Sequence, residues 1–112
     1  MNKQWIEVGR VEDIPVLGAR LINTQKGQIA VFKAQDGSVF ALHNRCPHRQ
    51  GPLSEGIVHG HKVTCPLHNW VIDLESGEAQ APDNGCTPTV PLKLVDGVIH
   101  LELSAPLKVA HG

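Results

Sequence analysis

Two short segments of the chain each pair a thiol with an imidazole: Cys46-Pro47-His48 and, after sixteen intervening residues, Cys65-Pro66-Leu67-His68. Thiolate sulfur and neutral imidazole nitrogen are the donors that hold zinc and iron. The chain has only three cysteines and seven histidines among its 112 residues, so two such pairings arise by chance roughly once in a hundred trials. A proline after each cysteine removes a backbone donor and fixes φ, which suits a loop and opposes a regular strand. Two metal chemistries are open. Tetrahedral zinc accepts two cysteines and two histidines, although zinc motifs usually group their ligands by type. One thiol and one imidazole per segment suits better a two-iron, two-sulfur centre, with both cysteines on one iron and both histidines on the other. Two facing loops would then each touch both irons.

Loops of this kind need a rigid frame. The 11 glycines and 8 prolines are spread almost evenly, and the longest stretch without either, Leu67 to Ser76, is ten residues. An average helix takes about 11–12 residues, so a helical bundle is excluded. Thirty of the apolar residues are Val, Ile or Leu, against two Phe, two Trp and no Tyr. The expectation is an all-β fold in a single domain, 1–112, since one core organises roughly 100–150 residues. Two hairpins are expected on Asp-Gly turns, whose tips accept positive φ. One joins Gln28–Gln35 to Ser38–His43 through Asp36-Gly37; the other joins Val90–Val95 to Val98–Leu103 through Asp96-Gly97. Weaker strands are expected at Trp5–Val8, Arg20–Asn23, Lys62–Thr64 and Val71–Asp73, with a turn at Glu75-Ser76-Gly77 and a single helical turn over Val11–Ile14. The stretch approximately 45–74 is denser in Cys, His, Pro and Gly than its flanks, and reads as a loop-rich insertion that carries the metal ligands.

The two Cys/His segments resemble the paired ligand boxes of Rieske iron–sulfur proteins, and the flanking strands extend the likeness over nearly the whole chain. The resemblance implies a Rieske-type antiparallel β-sandwich with an inserted cluster-binding subdomain. It implies a [2Fe-2S] cofactor held by Cys46, His48, Cys65 and His68, with the cysteines on one iron and the histidines on the other. High-potential members carry a second cysteine in each box and a serine after the second histidine. The corresponding places here are Gly51, Leu67 and Trp70. Without that serine, and with no tyrosine to donate a hydroxyl to sulfur, the resemblance implies a potential near the low end of the Rieske range, about −150 mV.

Gly77-Glu78-Ala79 and Ala81-Pro82-Asp83-Asn84-Gly85-Cys86 follow the second box. With Asn69 directly after His68, they resemble the small subunit of assimilatory NAD(P)H-dependent nitrite reductase. That likeness implies a large partner subunit carrying flavin, sirohaem and iron–sulfur centres, which reduces nitrite to ammonium. The alternative keeps the chemistry and changes the client, as a Rieske ferredoxin that delivers electrons to an aromatic-ring-hydroxylating dioxygenase. A zinc-stabilised binding module is the reading from a different class.

The remaining features bound the partners. A net charge of −1 gives no basic footprint for nucleic acid or an anionic membrane surface. No apolar run approaches the roughly 20 residues of a membrane span. An acid at Glu7, where a signal peptide needs its apolar segment, and the odd cysteine number lead to the expectation of a cytoplasmic, reduced protein without a disulfide framework. There is no nucleophile–base set and no dinucleotide loop, so the chain alone is expected to carry electrons within a larger enzyme. Cys86 reads as a small buried hydrophobe. His59 and His61 read as solvated loop histidines between the boxes, and His43 as the end of its strand. Trp70 reads equally as a shield for the cluster or as core packing, and Arg49 as a docking residue or a loop tip. Gly51, Gly56 and Gly77 read as turn residues.

Overall fold

A computed structural model of the chain describes residues 5–24, 27–46, 52–66, 69–80 and 85–102. Among them it is all-β, with three antiparallel sheets of three strands each. The central sheet joins β2 (Ala19–Thr24), β3 (Gly27–Lys33) and β4 (Val39–His43), in that order. Another joins β1 (Trp5–Arg10) to β9 (Val98–Glu102) and β9 to β8 (Leu92–Val95). The third, between β4 and β8 in sequence, consists of β5 (Ile57–His59), β6 (Lys62–Thr64) and β7 (Val71–Asp73). No helix among the described residues is long and apolar enough to cross a membrane.

Burial along β3 explains the layering. Ile29, Ala30, Val31 and Phe32 are all buried, so this strand is covered on both faces rather than one. Successive side chains point to opposite sides of a strand. Ala30 and Phe32 accordingly enter one core, with Leu42, Leu53, Val58, Val63 and Ile72. Ile29 and Val31 enter a second, with Ile14, Ala41, Val90, Ile99 and Leu101. The central sheet is therefore packed against the β5–β6–β7 sheet on one side and the β1–β9–β8 sheet on the other. Each fully buried aliphatic or aromatic side chain contributes roughly 2 kcal/mol.

The Asp96-Gly97 hairpin forms as expected. Val95 pairs with Val98, and the two turn residues take φ of 51° and 77°, the conformation of a type I′ turn. The other hairpin differs. β3 stops at Lys33, two residues before the expected end, because Ala34 N–H donates to Ser38 O and Gly37 N–H donates to Ala34 O. The Asp36 carboxylate completes that wider loop by accepting from Ser38 N–H at 2.9 Å. A strand absent from the sequence reading, β5, pairs with β6 through Ile57↔Thr64 and His59↔Lys62. The first arm of the Asp96-Gly97 hairpin, expected from Val90, starts only at Leu92, since Val90 N–H still donates to Ala41 O of the central sheet. The expected single helical turn is a 3-10 turn at Val11–Asp13. At Glu75-Ser76-Gly77 the turn is held by Asp73, whose carboxylate accepts from Glu75 N–H and Ser76 N–H.

Candidate metal centre

The two cysteines of the ligand boxes sit at the roots of two loops. β4 ends at His43, whose N–H donates to Pro88 O, and Asn44 N–H continues the ladder by donating to Gln28 O. Two residues later Cys46 turns inward and is fully buried. Cys65 follows the last residue of β6 directly and is also fully buried. Its N–H donates to Trp70 O at 2.7 Å, closing a loop over positions 65–70. Within that loop Asn69 adopts φ of 59°, the left-handed region that glycine and asparagine enter at least cost.

Cys46 and Cys65 share the core that contains Phe32, Leu53 and Ile72, with Trp70 packed half-buried against it. Neither forms a disulfide. Two cysteines outside any disulfide, at the roots of two loops and buried in one core, fit a soft metal centre. Thiolate ligands need deprotonation at the metal and protection from oxidation. His48 and His68, with Gly51, Leu67 and Arg49, lie outside the described residues. The chemistry of the donor set therefore supports the [2Fe-2S] reading through its two cysteines.

The necks of the two loops are in direct contact at Gly56. A Cβ there would meet Thr64 O at 2.2 Å and Val63 Cγ2 at 3.0 Å. Gly56 has φ of −80°, which any residue adopts, so the glycine is required by close approach and not by a turn. Gly77 combines both reasons: its φ is 78° and a Cβ would lie 2.2 Å from Thr87 O. Asn44 escapes sequence reasoning altogether. It is nearly fully buried, and its side-chain oxygen accepts from Ser54 N–H at 2.8 Å across the first loop. Its only signal in the sequence is position, an amide two residues before a ligand cysteine.

Three described histidines outside the boxes, His43, His59 and His61, have defined surroundings. His43 ends β4 and is buried. His59 sits at the end of β5 with Nε2 2.7 Å from Thr64 Oγ1. His61 is not a free loop histidine. Its Nε2 lies 2.9 Å from Asp36 of the β3–β4 loop and its Nδ1 3.3 Å from Glu75, beyond β7. Its ring also leans on Phe40 of β4, with centroids 5.0 Å apart. Hydrogen bonding to Asp36, then to Glu75, pushes the His61 imidazole above its ordinary 6.5. The Ser38 backbone N–H, followed by His61, holds the Asp36 carboxyl down at about 2. Cys86 is only half-buried, on a bridge to Glu78, so it is less enclosed than expected.

Comparison with known proteins agrees with this geometry. Residues 4–91 match the model of the Rieske [2Fe-2S] domain. The anthranilate 1,2-dioxygenase ferredoxin subunit of Burkholderia cepacia is 35% identical over 105 residues, covering 89% of this chain and 93% of that one. The naphthalene 1,2-dioxygenase ferredoxin component of Pseudomonas putida is 30% identical over 108 residues, covering 93% and 100%. Among solved structures, a chain provisionally named as the NADH-dependent nitrite reductase small subunit of Mycobacterium tuberculosis superposes with a TM-score of 0.82. It is 23% identical, with 95% of this chain and 100% of that one covered. At that identity the likeness concerns the fold. The ferredoxin of Sphingomonas yanoikuyae B1 superposes at 0.79 with 25% identity, over 89% and 99%.

Proposed function

The chain belongs to the Rieske [2Fe-2S] domain family and is a Rieske-type electron carrier, and on that footing we propose that it is the ferredoxin component of a ring-hydroxylating oxygenase system. The observation that carries this reading is the near full-length likeness to two dioxygenase ferredoxins at 30% and 35% identity. Cys46 and Cys65 would hold one iron and His48 and His68 the other, presented by the 45–74 insertion of a single domain. The cluster supplies a one-electron store. The chain's own residues do the rest. The apolar core around Cys46 and Cys65 excludes water from the thiolates, and Trp70 extends that cover. The Trp70 O–Cys65 N–H bond fixes the second loop. The client is a larger protein met in the cytoplasm, not a nucleic acid or a membrane.

A second reading, the small subunit of NAD(P)H-dependent nitrite reductase, is favoured by Asn69 and by Gly85-Cys86. Both features also have backbone reasons. Position 69 takes a left-handed φ that glycine would equally satisfy, and Gly85 adopts φ of 140° while its carbonyl accepts from Ala79 N–H. They separate the two clients less sharply than the ferredoxin likeness does. Purification from the native cell decides between them. A free red-brown carrier that supports hydroxylation by an oxygenase is expected. Co-purification in fixed ratio with a sirohaem flavoprotein would overturn the oxygenase reading.

A further inference from the structure

Asn44 is not a ligand type, yet its side chain is tied at both ends. Oδ1 accepts from Ser54 N–H at 2.8 Å, and Nδ2 donates to Gln28 Oε1 at 3.3 Å. Its backbone N–H donates to Gln28 O at 2.9 Å, so the residue is anchored on β3 by both main chain and side chain. Ser54 lies in the one-turn 3-10 helix Leu53–Glu55, and the preceding Pro52 supplies no side-chain cap. A first-turn N–H left without an acceptor inside a protein keeps its full desolvation cost. Asn44 provides that acceptor from ten residues away. Beside Ser54, Leu53 is fully buried in the core that also holds Cys46 and Cys65. The second loop closes differently, through the backbone bond from Cys65 N–H to Trp70 O. Among the described residues, the first loop is closed by a side chain, that of Asn44.

We infer that Asn44 is a positioning residue for the metal centre: its amide oxygen, bonded to Ser54 N–H, clasps the neck of the first ligand loop and so fixes Cys46 in the shared core. This rests on Cys46 being a cluster ligand. An amide suits the place because it accepts from Ser54 N–H and donates to Gln28. Alanine removes both functions, whereas aspartate keeps the acceptor for Ser54, exchanges the donor for a negative charge, and can accept from the Gln28 amide once that turns its NH2 toward it.

The test uses the intact cluster-loaded chain as wild type, Asn44→Ala and Asn44→Asp. Two rates are read: bleaching of the visible absorption under excess EDTA, and hydrogen exchange of the segment 52–58 by mass spectrometry. The Ala variant is expected to bleach and exchange about tenfold faster, the effect of one lost bond to a half-buried N–H. The Asp variant is expected to stay within about twofold of wild type on both. Ala at wild-type rates, or Asp as fast as Ala, overturns the clasp. If the Ala variant does not fold, the Asp variant decides alone: wild-type bleaching supports the clasp and tenfold acceleration overturns it. Iron and sulfide analysis of the wild type tests the cluster separately. A zinc-loaded chain would remove that reading, while exchange at 52–58 would still decide the clasp.

Discussion

Replacing Gly56 with alanine should loosen the whole ligand region, and the size of the effect follows from three distances. The backbone at Gly56 has φ −80° and ψ 178°, so alanine adds no conformational strain. The added Cβ would, however, stand 2.2 Å from Thr64 O, 3.0 Å from Val63 Cγ2 and 3.1 Å from Leu53 O. Relaxed carbon–oxygen contacts begin near 3.3 Å, so roughly 1 Å must open between the 3-10 turn and β6. β6 has little room to give: it is paired on both sides, and Val63 is fully buried. Overpacking typically costs about 1–3 kcal/mol, and a clash against backbone belongs at the upper end. At about 4–8 °C per kcal/mol for a small domain, Gly56→Ala should melt roughly 10–20 °C below wild type. Gly60→Ala is the control. Its Cβ meets open space, and it bears only the left-handed backbone cost of about 1 kcal/mol. Parallel thermal unfolding by circular dichroism compares them. If Gly56→Ala melts no lower than Gly60→Ala, the close approach of the two loop necks is not a constraint.

Other perturbations probe separate parts of the account. Below pH about 6.5 the charged His61 donates to both Asp36 and Glu75, and because its pKa is raised on folding, that contribution is lost as pH climbs through the raised value. Melting of wild type and His61→Gln should therefore differ near pH 6 and converge near pH 9; a constant gap would refute the link. Ile72→Ala empties a fully buried site in the ligand core and should cost about 2–5 kcal/mol in urea unfolding. Cys86→Ala removes a half-buried thiol outside the ligand set and should leave the iron content unchanged, whereas Cys65→Ala should abolish cluster loading.

Local signals were legible in the sequence. Asp96-Gly97 encodes its own turn, and the alternation of Ile99 and Leu101 with His100 marks a half-covered strand that the structure contains. The two cysteines announced themselves by spacing, and the fold brings them into one core. What stayed hidden depends on distant partners. β5 is three residues long, sits between Gly56 and Gly60, and becomes a strand only because β6 pairs with it. His61 finds its carboxylates 25 and 14 residues away. Asn44 reaches over the loop that it closes, and Gly56 is small because of Thr64. Composition and periodicity carry no record of such contacts, since each is created by the pairing or packing of separate segments of the chain.

The central claim is that the chain carries a [2Fe-2S] cluster on two mixed Cys/His loops. Metal and acid-labile sulfide analysis of freshly purified protein, read together with EPR before and after reduction, tests it most directly. About two irons and two sulfides per chain, with an EPR signal that appears on one-electron reduction, are expected. One zinc per chain, no sulfide and no signal in either state would contradict it.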